Sequence, residues 1–153
     1  MEAKKYIVHH EGYWRSKDRE QIPELGGLFF VYESSFDSKE EVVKLDRLLF
    51  IGESSNLKNC ILNHQLYKNW EKALKTNTEL TFSVAIVKNE DRMRIASAYV
   101  SFHQPVLNHV SDFSFLEDSM VIISHGNLGL IEQVVDVEKQ TDEVLQMSFA
   151  NVG

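Results

Sequence analysis

Residues 48–64, LLFIGESSNLKNCILNH, hold the side chains of this chain that are best placed to do chemistry. The apolar run 48–51 predicts a buried strand, Gly52 and the SSN sequence after Glu53 predict a turn, and residues 56–65 predict a helix. A strand that stops at glycine and continues into a helix N-terminus is a common framework for a site that faces a phosphate group. The types and spacing of these residues therefore direct attention to this stretch first.

Cys60 and His64 are four residues apart, which places both side chains on one face of the predicted helix. A thiol beside an imidazole suits nucleophilic catalysis. The same spacing also suits a structural pair, because a free cysteine on a core-facing helix position commonly behaves as a small hydrophobe. We favour the structural interpretation, in which His64 is a hydrogen-bonded histidine beside the core.

Four charged residues near the same stretch are further candidates for binding. Glu53 could act as a metal ligand, although a carboxylate near a helix N-terminus is favourable without any ligand. Lys58 and Lys68, together with other lysines of the predicted helices, form either a phosphate-tracking patch or a solvated face. Arg92 is similarly either a phosphate contact or part of a solvated helix edge.

Two further sets of residues draw attention by type but not by spacing. His9 and His10 are adjacent on a predicted strand, so they face opposite ways and cannot easily share one metal ion. Trp14 and Trp70 could stack on bases, but they are more simply explained as packing in the core or cleft.

The composition predicts one domain over residues 1–153, with enough chain for a real core. Its net charge of -7 argues against a surface that is basic throughout, although a local basic patch remains open. The single cysteine excludes an internal disulfide and fits a reducing cytoplasm. No apolar run approaches the ~20 residues needed to span a bilayer, and the first residues lack a signal-peptide core, so we expect a cytoplasmic protein without a membrane partner.

The hydrophobic pattern predicts an α/β (α+β) domain with a central mixed or antiparallel sheet of three or more strands, flanked by helices. Residues 33–41 (ESSFDSKEE) are polar and predict a long loop inside a hairpin over 27–52. We expect strands over 4–14, 28–32, 42–51, 80–87, 120–124 and 130–137, and helices over 56–65, 66–75 and 91–103. The last two strands predict a C-terminal β extension over 109–153.

The order hairpin, helix, strand, helix carries two motifs, Gly27-Leu28-Phe29 and Phe50-Ile51-Gly52. With the downstream sequences ESSNLKNCILNH and DRMRIASAYVSFHQPVLN, this chain resembles the GIY-YIG nuclease superfamily. The resemblance covers about residues 22–108. The flanks 13–23 and 109–131 look like those of one bacterial subgroup. The resemblance implies a small GIY-YIG-like domain with a C-terminal extension.

That family hydrolyses phosphodiesters in DNA with a tyrosine near the attacking water, a helix arginine and a glutamate that holds one Mg²⁺ or Mn²⁺ ion. Carried over by position, the two signature tyrosines fall on Phe29 and Phe50, the arginine on Cys60 and the glutamate on Ala96. The positions that match the family are Gly27, Gly52, His64 and Asn108. The resemblance therefore implies a site without its phosphate donor, its metal ligand or its hydroxyl groups, and we expect no bound metal cofactor.

These replacements predict a catalytically inactive module that acts by binding nucleic acid or a protein partner. One alternative is a divergent metal-dependent DNA endonuclease in which Glu53 and His64 take new roles. Another is a regulatory subunit that contacts only proteins, which the acidic balance favours over DNA binding. Phenylalanine and alanine would also mark an engineered inactive variant, whereas cysteine in place of arginine favours natural change.

Overall fold

The structure is a computed structural model that describes residues 3–109 and 118–139, and within these ranges six strands form one sheet. The strands are β1 (Lys4–Arg15), β2 (Gly27–Asp37), β3 (Val42–Ser54), β4 (Glu79–Ile86), β5 (Met120–Gly126) and β6 (Val134–Val137). The α-helices are α1 (Leu57–Leu62), α2 (Tyr67–Lys72) and α3 (Arg92–His103), and a 3-10 helix spans Ser16–Gln21. The expected mixed sheet flanked by helices is confirmed.

The strand order is β3-β2-β4-β1-β5-β6, and every pairing is antiparallel except that of β1 with β5. β1 divides its length between its two neighbours. Its first part, Lys4–His10, pairs with β5, and its second part from His10 to Arg15 pairs with β4. The two halves of the sheet are therefore joined through one strand.

The core lies on both faces of the sheet, because side chains alternate along each strand. On β2, Phe29 and Val31 face a cluster that includes residues of α1 and α2, which we call the helix-pair face. Phe30 and Tyr32 face a second cluster with residues of α3, which we call the α3 face. Each helix therefore covers one side of the strands that precede it.

The connection predicted over 33–41 is shorter in the structure, since β2 continues to Asp37, residues 38–41 form the turn and β3 begins at Val42. Two of its polar residues, Glu33 and Ser34, are buried inside the sheet, and the Ser34 hydroxyl lies 2.5 Å from Thr81 Oγ1. The polar composition therefore led to the prediction of a loop, although in the structure these polar groups are hydrogen-bonded within a strand.

Three other boundaries differ from the prediction. The helices expected over 56–65 and 66–75 are shorter, as α1 and α2, and the strand expected over 130–137 is reduced to β6. β5 and β6 belong to the same sheet as the rest through β1, whereas residues 110–117 and 140–153 of the expected extension lie outside the described residues. None of the described helices has the length and apolarity needed to cross a membrane.

Candidate functional site

The stretch that the sequence singled out belongs to a group of four rings in contact, Phe29, Phe50, His64 and Trp70, which we call the aromatic cluster. The His64 ring centroid is 4.6 Å from that of Trp70, 5.7 Å from Phe29 and 5.8 Å from Phe50. Phe29, Phe50 and Trp70 are buried, and His64 is half-buried at the edge of the group. His64 thus gives the aromatic cluster its one partly exposed ring.

Neighbouring strands and two short helices place these rings. Phe29 lies opposite Gly52 in the β2–β3 ladder, so its ring packs directly over a residue with no side chain. Trp70 is on α2 and is fully buried. His64 lies between α1 and α2, where its Nδ1 accepts a hydrogen bond from the backbone N–H of Leu66 at 3.0 Å. The turn between the helices therefore fixes the His64 ring.

The two positions that the resemblance assigns to tyrosines, Phe29 and Phe50, hold buried hydrocarbon rings. Phe29 and Phe50 stack with ring centroids 6.0 Å apart and bring no hydroxyl group to this face. Burial lowers the pKa of His64, so its neutral form is favoured at neutral pH. The aromatic cluster offers apolar contact and one imidazole edge, and the Phe29 and Phe50 rings supply it with no proton acceptor for a water.

The predicted Cys60–His64 helical face does not form. α1 ends at Leu62 and Asn63 caps it, so His64 lies beyond the helix that carries Cys60. Among the described residues, the hydrogen bond that His64 makes goes to Leu66 rather than to the thiol. Burial raises the pKa of Cys60, with Glu53 acting in the same direction and a hydrogen bond with Ser54 opposing it, and a protonated thiol is a weak nucleophile.

Glu53 and Arg92 come together as an ion pair. Arg92 Nε lies 2.8 Å from Glu53 Oε2, and both side chains are mostly shielded from solvent. The pair joins the end of β3 to the start of α3. Each of these two candidate binding residues is therefore already paired with a side chain of opposite charge in the same chain.

Three of the positions that match the resemblance have clear structural roles. Asn108 Nδ2 donates to the carbonyl of Ile51 at 2.9 Å, and its Oδ1 accepts from the Ile51 N–H at 2.9 Å. A Cβ at Gly27 would overlap the backbone carbonyl oxygen of Ala85, and one at Gly52 would collide with the ring of Phe29. Close packing and backbone pairing account for all three residues.

The remaining candidates are spread apart. Ala96 is fully buried in the α3-face core, whereas Phe29, Phe50 and Cys60 contribute to the helix-pair face. The sheet therefore lies between Ala96 and the other three positions that the resemblance compares with catalytic residues. Lys58 is 3.8 Å from Glu20 on the 3-10 helix, and Lys68 is exposed on α2.

Sequence reasoning missed two polar arrangements. Glu33 is buried on β2 and accepts hydrogen bonds from Arg47 Nε, the Lys75 backbone N–H and Thr78 Oγ1 at 2.7, 2.6 and 2.8 Å. Burial acts to raise the pKa of Glu33, but these hydrogen bonds together hold it below its usual value. Because the residues around Glu33 are also polar, the sequence pattern predicted a loop and did not indicate that Glu33 is buried.

The second arrangement lies on the α3 face. His10 is buried there, with its Nε2 3.0 Å from the Tyr99 hydroxyl, which lies 2.5 Å from Ser124 Oγ. Burial, helped by nearby histidines, lowers the pKa of His10 to about 4. The two ends of this network are far apart in the chain, and nothing in the local sequence pattern connects them.

Within residues 3–109 and 118–139 there is no group of three or more histidine, cysteine, aspartate or glutamate side chains arranged to hold a metal ion. Comparison of the chain with protein-family models, curated proteins and solved structures gave no match.

Proposed function

We propose that this chain is a GIY-YIG-like module of the cytoplasm that binds its partner without cutting it. The observation that carries the proposal is the aromatic cluster, in which phenylalanine rings occupy both signature positions and pack against His64 and Trp70. The order of elements supports the family assignment, since a hairpin (β2–β3) is followed by α1, α2, the inner strand β4 and α3.

The chemistry of phosphodiester cleavage explains why these positions matter. The reaction needs groups that stabilise developing negative charge and position a water, and removal of one such group typically costs ~100- to 1,000-fold in rate. Here the hydroxyl groups are replaced at Phe29 and Phe50, the cationic donor at Cys60, and the carboxylate at Ala96. Because Phe29, Phe50 and Cys60 lie on one face of the sheet and Ala96 on the other, one bound phosphate could not contact all four positions, and both the replacements and their separation support binding without cleavage.

Two features bear on the partner. Lys68 and Lys72 are exposed one helical turn apart on α2, the helix that supplies Trp70, and Lys75 is exposed just after it. This lysine row could follow a phosphate backbone. The net charge of -7 acts against non-specific attraction to nucleic acid and suits a protein partner. The proposal therefore names α2 and the His64 edge as the contact surface and leaves both classes of partner to the test.

The alternative of a divergent nuclease requires Glu53 and His64 to be released from their present contacts. The Glu53 carboxylate is engaged by Arg92, and His64 Nδ1 by the backbone of Leu66. A metal ion at Glu53 would have to displace a partly buried guanidinium, which favours the binding proposal over this one.

The decisive experiment combines cleavage and binding on one panel of single-stranded, duplex and branched DNA and RNA. We expect no cleavage above background with Mg²⁺ or Mn²⁺. Metal-dependent cutting that disappears in Glu53→Gln or His64→Ala would instead establish the nuclease. Binding is measured for the wild type, Lys68→Glu and the control Lys44→Glu, which makes the same charge change at an exposed residue of β3.

The salt dependence of binding separates the two classes of partner. If the lysine row contacts phosphates, affinity falls steeply with added salt, and Lys68→Glu weakens binding while Lys44→Glu does not. If no member of the panel binds, the nucleic-acid form of the proposal is refuted and the protein-contacting form remains. Equal loss in both variants would show that α2 is not the contact surface.

A further inference from the structure

His9 and His125 lie side by side on the parallel pair β1–β5, in register with each other. The neighbouring residues Val8 and His10 point into the α3-face core, so His9 points to the opposite side of the sheet. That side is open here: both histidines are exposed, and Ile7, two residues before His9, is 69% exposed. The two imidazoles are therefore accessible from solvent.

The contact between the two rings is made by their Nδ1 atoms, which are 2.9 Å apart, with ring centroids 4.8 Å apart. Two neutral imidazoles can hold this contact only if one Nδ1 carries a hydrogen and the other accepts it. The facing nitrogen atoms thus share a single proton between two lone pairs. Such a proton occupies the place that a cation with two nitrogen ligands would take.

We propose that His9 and His125 form a two-histidine site for a late first-row divalent metal ion, with Cu²⁺ as the preferred ion. Imidazole nitrogen is a ligand that copper, nickel and zinc accept, and copper binds most tightly in the series. Metal–nitrogen distances near 2.0–2.1 Å at a right angle separate two ligand atoms by about 2.9 Å. A tetrahedral angle would require about 3.3–3.4 Å at the same bond length.

The observed 2.9 Å separation therefore fits two adjacent corners of a square or octahedral site better than a tetrahedral one. That geometry is typical of Cu²⁺ and Ni²⁺ rather than Zn²⁺. Because both rings are exposed, each can rotate to direct its lone pair at the ion, and water completes the coordination. The ion takes the place of the shared proton, which moves to Nε2 of the same ring, so that both imidazoles bind through Nδ1 as neutral ligands.

The backbone beside the two histidines leaves space for the His9 ring. Gly126 follows His125 with a φ of +95°, and a Cβ at Gly126 would lie 2.9 Å from His9 Cε1. The Gly126 backbone and the strand register therefore keep the His9 ring clear of a neighbouring side chain. His10 does not take part, because it is buried on the other side of the sheet and bonded to Tyr99.

The test measures Cu²⁺ binding to the tag-free full chain by titration calorimetry, with electron paramagnetic resonance of the bound ion as the second readout. We expect one ion per chain with at least two nitrogen ligands. His9→Gln and His125→Gln should each weaken binding by ~100-fold, because each removes one arm of a chelate. Ni²⁺ should bind more weakly than Cu²⁺ at the same site.

His109→Gln is the matched control, since it removes an exposed imidazole outside the pair. It should leave the tight site unchanged. Circular dichroism of each variant establishes that the fold is retained, which is expected because His9 and His125 are both exposed.

The proposal is overturned if the wild type shows no one-to-one site, or if affinity is unchanged in either His9→Gln or His125→Gln. A resonance spectrum with a single nitrogen ligand would also refute it, since the ion would then use one imidazole only. The inference is independent of the proposed nucleic-acid or protein partner, because His9 and His125 lie outside α2 and the aromatic cluster.

Discussion

Gly52→Ala is expected to destabilise the fold through the aromatic cluster. The new methyl group would lie 2.5 Å from Phe29 Cε1 and closer still to Cζ. The Phe29 ring cannot move aside easily, because Phe50, His64 and Trp70 surround it. Overpacking of a well-packed core costs about 1–3 kcal/mol, and the depth of this overlap places the expected loss near 3 kcal/mol.

The physical claim is that the cost arises in one contact, so a double-mutant cycle can isolate it. Phe29→Leu alone should cost about 2 kcal/mol by shrinking a buried side chain. In the double variant the shortened side chain leaves room for the methyl group, so the losses should not add. We expect a coupling free energy of about 2–3 kcal/mol.

Urea unfolding followed by tryptophan fluorescence provides the assay, since Trp70 is in the aromatic cluster and Trp14 packs against the core of the same helix-pair face. Gly27→Ala is the matched control. Its methyl group would overlap the Ala85 carbonyl oxygen, which belongs to the backbone of β4 and not to the Phe29 ring. Gly27→Ala should therefore destabilise the fold without being rescued by Phe29→Leu.

Additive losses within about 0.5 kcal/mol for the Gly52 and Phe29 changes would refute the reasoning. They would show that the cost of Gly52→Ala comes from the backbone at this position rather than from overlap with the Phe29 ring. Rescue of Gly27→Ala by Phe29→Leu would contradict it as well, since no shared contact would then explain the cycle.

Three other changes test the polar contacts. Asn108→Ala should cost about 1–3 kcal/mol in urea unfolding, because it leaves the backbone N–H and carbonyl of Ile51 without their partner. Glu33→Gln should lower stability at pH 7 but much less at pH 3, because the lowered pKa of Glu33 gives stability that is lost as pH falls below the unfolded value. In the wild type, the His10 pKa of about 4 should cost about 3 kcal/mol of stability as pH falls from 6.5 to 4, because His10 of the unfolded chain takes up a proton before His10 of the folded chain does. His10→Phe should remove this part of the pH dependence.

Each of these predictions has a contrary result. Unchanged stability in Asn108→Ala would mean that water replaces the amide on Ile51. An equal effect of Glu33→Gln at both pH values would show that hydrogen-bond geometry, not charge, is what Glu33 supplies. A His10→Phe variant as acid-sensitive as the wild type would place the titration in another group.

Much of the architecture follows from local pattern. The strands around Phe30, Phe50 and Val84 have the length and β-branched or aromatic content that a buried strand needs, and α3 shows the expected apolar positions from Ile95 to Tyr99. What the pattern could not supply was the residues that pair across distance. Glu33 and Ser34 look like loop residues until Arg47, Lys75 and Thr81 are placed beside them.

The candidate site shows the same limit more sharply. Position along the chain grouped Ala96 with Phe29, Phe50 and Cys60, and only the layering of the sheet separates them onto two faces. Likewise, His9 was weighed with its neighbour His10, although its partner is His125, 116 positions away. The alternation of side chains along a strand indicates which residues share a face, but it does not identify the residue that lies beside them on a strand far away in the sequence.

The shared strand β1 has a consequence for the order of assembly. The first part of β1 is synthesised more than a hundred residues before β5, the strand with which it pairs. The antiparallel half of the sheet, built from β2, β3 and β4, can form before the first part of β1 has a strand to pair with. Because parallel pairing between strands far apart in sequence is slow, the last step of folding should be the docking of β5 and β6 onto the free edge of β1.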